Sequence, residues 1–197
     1  MFSLTEFIFA PAAWIREFRI KEKKNLPGLF LLLLFLVPLA HSVAVSLGRG
    51  TGIESFTRGL LAGYWAKVIF FALLNLASSG MAFFIASLAS PNGRSADRRD
   101  ETVLFSTLFL ASWFPVSFMP AVMLVACKTG IFGQVLAGLG WTAVLVWIII
   151  LQISVVRGIF DLTIARSALV CAAAMLLGLL IDGLFVYLAV LSAAGVG

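Results

Sequence analysis

Three ionisable side chains, His41, Lys67 and Asp182, lie within or beside the long apolar runs of this 197-residue chain. If those runs cross a membrane, a charge at such a position costs at least about 2.5 kcal/mol and is by default a candidate for function. Two interpretations stay open. The three residues either form a structural ion pair that joins two helices, or they line the path of a transported ion, small molecule or lipid.

The residue types that membrane enzymes need are single or missing. His41 is the only histidine, which excludes histidine-rich metal sites and the HExxH motif. Asp182 is the one carboxylate within an apolar run, whereas an aspartyl dyad needs two. Ser78-Ser79-Gly80 resembles a nucleophilic serine site, but serine and glycine are common in membrane helices because they allow close packing. We predict a protein that is not an enzyme and has no catalytic residue, metal site or cofactor.

The composition excludes a water-soluble protein. Apolar residues make up 62% of the chain and charged residues 12%, with a mean hydropathy of +1.11, against about 45–50% and about 25% in soluble domains. The net charge of +5 comes from bases that lie between the apolar runs rather than on one face, which argues against a nucleic-acid partner. The sequence therefore predicts an integral membrane protein whose main partner is the lipid bilayer.

Five apolar runs are long enough to cross a bilayer as helices, which takes about 20 residues. The runs are continuous rather than alternating, which favours helices over a β-barrel. We predict an all-α membrane helix bundle, with residues 1–28 as an interfacial amphipathic helical segment and residues 29–197 as a five-helix transmembrane domain. The predicted spans are residues 29–47, 66–90, 103–127, 131–156 and 168–191.

Basic residues are distributed unevenly between the two sides of this topology. The N-terminal segment together with the second and fourth loops carries ten of the 14 Lys and Arg residues, and the other side carries four. Cytoplasmic loops are enriched in Lys and Arg. We therefore predict a multi-pass protein of the inner (plasma) membrane, with a cytoplasmic N-terminus and, after five spans, an external C-terminus.

The three ionisable groups agree in predicted depth. At about 1.5 Å per residue, Asp182 lies roughly 14 Å and His41 roughly 9 Å from the external end of its span. Lys67 lies roughly 10 Å along the second apolar stretch, counted from its start at about Leu60. We predict that Asp182 pairs with Lys67, with His41 nearby.

Residues 3–24 have the pattern of a helix that lies in the membrane surface. Apolar and charged residues fall on opposite helical faces, as in interfacial helices. Basic residues near anionic lipids contribute about 1 kcal/mol each, and the same surface suits a cytoplasmic protein partner. The candidate lipid-facing or partner-facing residues are Trp14, Arg16, Arg19, Lys21, Lys23 and Lys24.

Three spaced features are shared with a known family. These are Phe9-Ala10-Pro11 followed by Trp14-Ile15-Arg16, a third span with Phe105 and a central Pro115, and the stretch 163–169 that enters the last span. On these features the chain resembles the Yip domain family, named for interaction with Ypt/Rab GTPases, and is most similar to bacterial inner-membrane members. The resemblance implies five spans and a cytoplasmic N-terminus. The Asp-Leu-Tyr-Gly-Pro motif of the eukaryotic relatives is missing, so it implies architecture more than GTPase binding.

Two functions from different classes remain open. The first is a non-enzymatic scaffold or adaptor in membrane, envelope or trafficking machinery, with cytoplasmic surfaces at residues 3–24, 94–101 and 157–167. The alternative is a component of a small-molecule, ion or lipid transporter that uses the Asp182, Lys67 and His41 cluster. Prolines are expected to interrupt their helices, which is compatible with either function because kinks occur in inert bundles and in transporters. These prolines are Pro38, Pro115 and Pro120.

Overall fold

The computed structural model describes most of the chain. It gives the backbone of Pro11, Ile15 and residues 26–48, 53–90, 98–126, 128 and 131–193. Side chains are described for the same residues except at 26, 27, 48, 53–63, 66, 98–101, 131, 179 and 181–193.

The described part of the chain is helical and contains no strand, which confirms the predicted all-α class. Long helices follow one another with short connections, and the third predicted span consists of two helices joined by a 3-10 turn. In chain order they are α1 (Leu26–Gly48), α2 (Ile53–Ala89), α3 (Arg98–Ala111), the 3-10 turn (Phe114–Phe118), α4 (Met119–Ala126), α5 (Ile131–Phe160) and α6 (Ile164–Ala193).

Four of the described segments are long and apolar enough to cross a bilayer, as expected of a multi-pass membrane protein. The predicted fifth span falls on α6, whose described apolar stretch, Ile164–Gly178, is shorter. The four segments are Gly28–Leu47 in α1, Lys67–Ala89 in α2, Thr102–Ala126 across α3 and α4, and Phe132–Phe160 in α5.

The helices extend beyond the predicted spans. The connection between α5 and α6 is reduced to residues 161–163, although a loop over 157–167 was predicted. Hydropathy marks only the part of a helix that lies in hydrocarbon, whereas backbone hydrogen bonding continues into the headgroup region. Asp161 makes the reversal with a positive φ of 53°, a conformation that aspartate adopts more readily than most residues.

Of the three predicted interruptions, the structure shows the one at Pro115. The ring of Pro115 and its missing N–H oppose a continuous α-helix, and the Val116 N–H donates to the Trp113 carbonyl at 3.0 Å within the 3-10 turn. The prediction for Pro38 is wrong, since α1 continues through it. Neighbouring groups can satisfy the backbone at a proline in a membrane helix. Pro120 lies in the first turn of α4, where proline is tolerated.

The buried apolar residues form two clusters at opposite ends of the bundle. We call the end at which α5 meets α6 the Phe160 end and the opposite end the Lys67 end. At the Phe160 end, Phe83, Phe105 and Phe160 have ring centroids 5.2–5.6 Å apart, and Phe109 stacks on Phe105 at 5.5 Å. The smaller cluster at the Lys67 end contains Val37, Ala44, Val116, Met119, Val144 and Ile148.

One residue of the predicted amphipathic segment packs on the bundle. Ile15 is buried in the larger cluster, and a Cβ on Gly158 would lie 2.9 Å from Ile15 Cγ2. This contact joins the segment to the Phe160 end. Trp14, Arg16, Arg19, Lys21, Lys23 and Lys24 lie outside the described residues. Their contact with lipid or with a partner stays a prediction.

Candidate intramembrane binding site

Lys67 and His41 line the same cavity near the Lys67 end. The cavity has a volume of about 360 Å³ and lies between α1, α2, α5 and the break in the third span. Apart from these two residues its walls are apolar or aromatic, and Trp113 and Trp141 contribute indole rings. The fold therefore brings two of the three predicted ionisable residues together on one cavity.

The polar groups of this cavity also hold α1 against its neighbours. Lys67 Nζ donates a hydrogen bond to Ser42 Oγ at 3.2 Å. The imidazole of His41 packs edge-on against Trp141, with ring centroids 5.7 Å apart. Tyr64 Oη donates to the carbonyl of Phe35 at 2.8 Å, so a second contact joins α2 to α1. The ammonium and imidazole groups are thus kept beside an aromatic wall.

Asp182 lies in α6, but its side chain is outside the described residues. Helix α6 approaches α2 at Gly178, where a Cβ would lie 2.9 Å from Ser78 Oγ and 3.5 Å from Leu74 Cδ1. Four residues further along α6, about 6 Å on, Asp182 reaches the level of Leu74, and Lys67 is about 10 Å further along α2. This register differs from the shared depth that we predicted. The pairing of Asp182 with Lys67 stays a prediction.

A second cavity, of about 300 Å³, adjoins the first. Side chains of Phe71, Leu74, Trp113 and Leu145 line both of them. The second cavity lies further from the Lys67 end and is bounded by α2, α3, α5 and α6. The two cavities therefore lie next to each other along the bundle and share these walls.

Two buried amides line the second cavity, and the sequence analysis missed both. Asn75 is 3% exposed and Gln152 1% exposed. Neither polar atom of the Asn75 side chain has a hydrogen-bond partner among the described residues, and neither has Gln152 Oε1. The sequence analysis looked for polar sites among the ionisable residues, and Asn75 and Gln152 are neutral. An amide in the middle of an apolar run would have indicated both positions.

The break in the third span contributes to both cavities through Trp113. The Trp113 ring packs edge-on against Phe71, with centroids 5.7 Å apart. Discontinuous membrane helices commonly form the binding sites of transporters because irregular backbone is tolerated where it lines a cavity. Pro115 therefore acts on the site by ending α3 beside it.

The other groups singled out in the sequence make packing contacts. Ser79 Oγ and Ser106 Oγ share a hydrogen bond of 2.9 Å that joins α2 to α3. Ser78 lies against Gly178 of α6, and both residues also line the second cavity. The described residues contain no group of three His, Cys, Asp or Glu side chains that could hold a metal ion.

These helices and cavities indicate a multi-pass α-helical membrane protein with polar side chains on cavities between its helices. Comparison with known proteins adds no relative, since no protein-family model, no curated protein and no solved structure matches the chain.

Proposed function

We propose that this chain is a five-span inner-membrane protein that binds an anionic amphiphile between its helices, as a component of a small-molecule or lipid transport system. The supporting observation is that Lys67 and His41, whose side chains are exposed, line one aromatic-walled cavity that lies between the helices and opens at the surface of the bundle. The proposal includes the cytoplasmic N-terminus and external C-terminus that the distribution of basic residues predicts.

The charge on the cavity favours an anion. The Lys67 ammonium has three N–H donors, of which one bonds to Ser42, so two can bind a ligand. His41 adds an imidazole donor, and no carboxylate is among the described residues that line the cavity. Hydrogen bonds from a cation to a phosphate or carboxylate are about twice as strong as neutral ones.

The remaining walls favour an apolar body on the same ligand. The volume of about 360 Å³ falls within the usual range for small-molecule sites, about 300–1,000 Å³. Outside the Lys67 and His41 corner, the cavity presents aliphatic and aromatic side chains. An amphiphile with an acidic head satisfies both parts of the cavity, whereas a bare ion satisfies only one.

Binding of dodecyl phosphate to the protein in phosphatidylcholine nanodiscs tests this proposal. Tryptophan fluorescence reports occupancy because Trp113 and Trp141 line the cavity. We expect Lys67→Met to weaken binding at least tenfold, which corresponds to about 1.4 kcal/mol. Lys128→Met is the matched control, since Lys128 is exposed in a connection. Equal affinity of Lys67→Met and the wild type, or equal binding of dodecanol and dodecyl phosphate, would contradict the proposal.

The same titration tests the predicted pair of Asp182 with Lys67. A carboxylate beside Lys67 would compete with the anionic head of the ligand. If the pair exists, Asp182→Asn tightens dodecyl phosphate binding. If it does not, the affinity is unchanged.

A scaffold of the Yip type is the second candidate function. At the Phe160 end the connection between α5 and α6 exposes Arg157, Asp161, Ile164 and Arg166, which together offer charged and apolar contacts to a cytoplasmic partner. Charge reversal at Arg157 and Arg166 would weaken the cross-linking of a cytoplasmic protein to this connection. The same change would leave dodecyl phosphate binding intact, which separates the two functions.

A further inference from the structure

We infer that Asn75 and Gln152 form a neutral subsite that binds a hydroxyl or amide group on the apolar part of the amphiphile. This inference rests on the proposed function, because it specifies which anionic amphiphile the site would bind. The ligand then has an acidic group at the Lys67 end and a neutral hydrogen-bonding group further into the bundle. Along α2 the step from Lys67 to Asn75 is about 12 Å.

The two amides supply complementary hydrogen-bonding atoms to one space. Asn75 offers Nδ2 as donor and Oδ1 as acceptor, and Gln152 offers Oε1 as acceptor, all without a partner among the described residues. A hydroxyl both donates and accepts, and so does a primary amide. A hydroxyl can accept from Asn75 Nδ2 and donate to one of the two carbonyl oxygens, and a primary amide can donate to both. A carboxylate can accept from Asn75 Nδ2 but has no hydrogen for either carbonyl oxygen.

Burial makes these unpaired groups costly. Asn75 and Gln152 are more than nine-tenths buried, and a buried polar atom without a partner loses its hydration without a compensating bond. An apolar residue at either position would avoid this cost. The amides are therefore explained by a ligand that pairs with them, at some expense to the stability of the empty protein.

The size of the space favours an organic group over water alone. The cavity of about 300 Å³ is far larger than the roughly 30 Å³ that one water molecule occupies in the liquid. Its other walls are mainly apolar, and a buried water needs about three polar partners. An alkyl chain that carries one hydroxyl matches apolar walls and a polar corner together.

The position of this cavity directly beside the first one favours a single ligand that occupies both. The shared walls, Phe71, Leu74, Trp113 and Leu145, lie between the Lys67 corner and the amides. A chain that has its acidic head at Lys67 and lies along α2 past these shared walls reaches the level of Asn75 after about 12 Å.

The test compares dodecyl phosphate with ω-hydroxydodecyl phosphate in phosphatidylcholine nanodiscs, together with their octyl and decyl analogues. For the best chain length we expect the hydroxyl to tighten binding to the wild type about tenfold. The Asn75→Leu/Gln152→Met double variant should lose that gain and still bind dodecyl phosphate normally. Each single variant should lose part of it. Gln134→Met is the matched control, because Gln134 is an exposed amide of the same helix as Gln152.

Thermal unfolding of the empty double variant separates binding from a structural role. Since Asn75 Nδ2, Asn75 Oδ1 and Gln152 Oε1 have no hydrogen-bond partner among the described residues, the double variant should be at least as stable as the wild type. A marked fall in its melting temperature would overturn the inference, and so would a hydroxyl gain that persists in it.

The binding experiment gives different results if the subsite is wrong and if the proposed function is wrong. If the wild type binds dodecyl phosphate but does not distinguish the hydroxylated probe at any chain length, the amides hold water only and the subsite is excluded. Lys67→Met should weaken the binding of both probes by the same factor, so that the ratio of their affinities is unchanged. If neither probe binds the wild type, the proposed function itself fails.

Discussion

At the Phe160 end four phenylalanine rings pack together between the helices, beside a mainly apolar cavity of about 460 Å³ between α1, α2 and α3. The two adjoining cavities with polar side chains on their walls lie in the middle of the bundle and toward the Lys67 end. The third span explains much of the difference. At the Phe160 end it is the regular helix α3, which brings Phe105 and Phe109 into the aromatic cluster. Toward the Lys67 end it becomes the 3-10 turn, which turns Trp113 onto the cavities. The difference between the two regions therefore lies in the close packing of the phenylalanine rings on one side and in the polar side chains on the cavity walls on the other.

Phe105→Ala is expected to cause the largest loss of stability, because Phe105 is fully buried and contacts three other phenylalanine rings. The substitution should lower the free energy of unfolding by about 3 kcal/mol. Thermal unfolding in detergent measures it. Phe132→Ala is the control, since Phe132 is 82% exposed, and it should cost less than about 0.5 kcal/mol. Equal losses would show that the aromatic cluster does not dominate stability.

Gly140→Ala tests whether the Lys67 end is tightly packed where it has no cavity. A Cβ on Gly140 would lie 2.7 Å from Val122 Cγ1, and a valine side chain in a helix has little freedom to move away. We expect a loss of about 1–2 kcal/mol. Gly138→Ala is matched to it in the same helix and has nothing within 4 Å, so it should be neutral or slightly stabilising. The difference between the two melting temperatures measures the clash.

Thr163→Ala probes the short connection at the Phe160 end. The Arg166 N–H donates to Thr163 Oγ1 at 3.4 Å, and the Ser167 N–H donates to the Thr163 carbonyl at 2.9 Å, which makes Thr163 the N-cap of α6. Removing the hydroxyl should cost about 1 kcal/mol, whereas Thr163→Ser keeps the cap. Hydrogen exchange of the first turn of α6 would report the change. Unchanged protection in Thr163→Ala would mean that another group caps the helix.

Ser79→Ala should have the smallest effect. It removes the hydrogen bond between Ser79 and Ser106, and such bonds between membrane helices average about 0.6 kcal/mol. A double-mutant cycle with Ser106→Ala in thermal unfolding isolates the coupling. A coupling above about 2 kcal/mol would mean that this bond contributes as much to holding α2 and α3 together as the aromatic cluster does.

The sequence by itself determined that the chain is helical and crosses a membrane. In a bilayer the backbone must satisfy its own hydrogen bonds, so long continuous apolar runs form helices whatever their neighbours are. The same local logic located the break at Pro115, because the restriction imposed by proline acts within one turn. It failed at Pro38, where α1 continues. The predicted spans are also shorter than most of the helices, because hydropathy marks only the part of a helix that lies in hydrocarbon.

Only the tertiary structure decided which polar groups share a space. His41 and Lys67 are 26 residues apart in the sequence and meet because α1 and α2 pack together, while the register at Gly178 separates the level of Asp182 from that of Lys67. Whether Asn75 and Gln152 have partners depends on how α2, α5 and α6 are rotated about their own axes. Helix rotation and register arise from the packing of side chains on different helices. The hydropathy pattern along the sequence carries no information about those contacts.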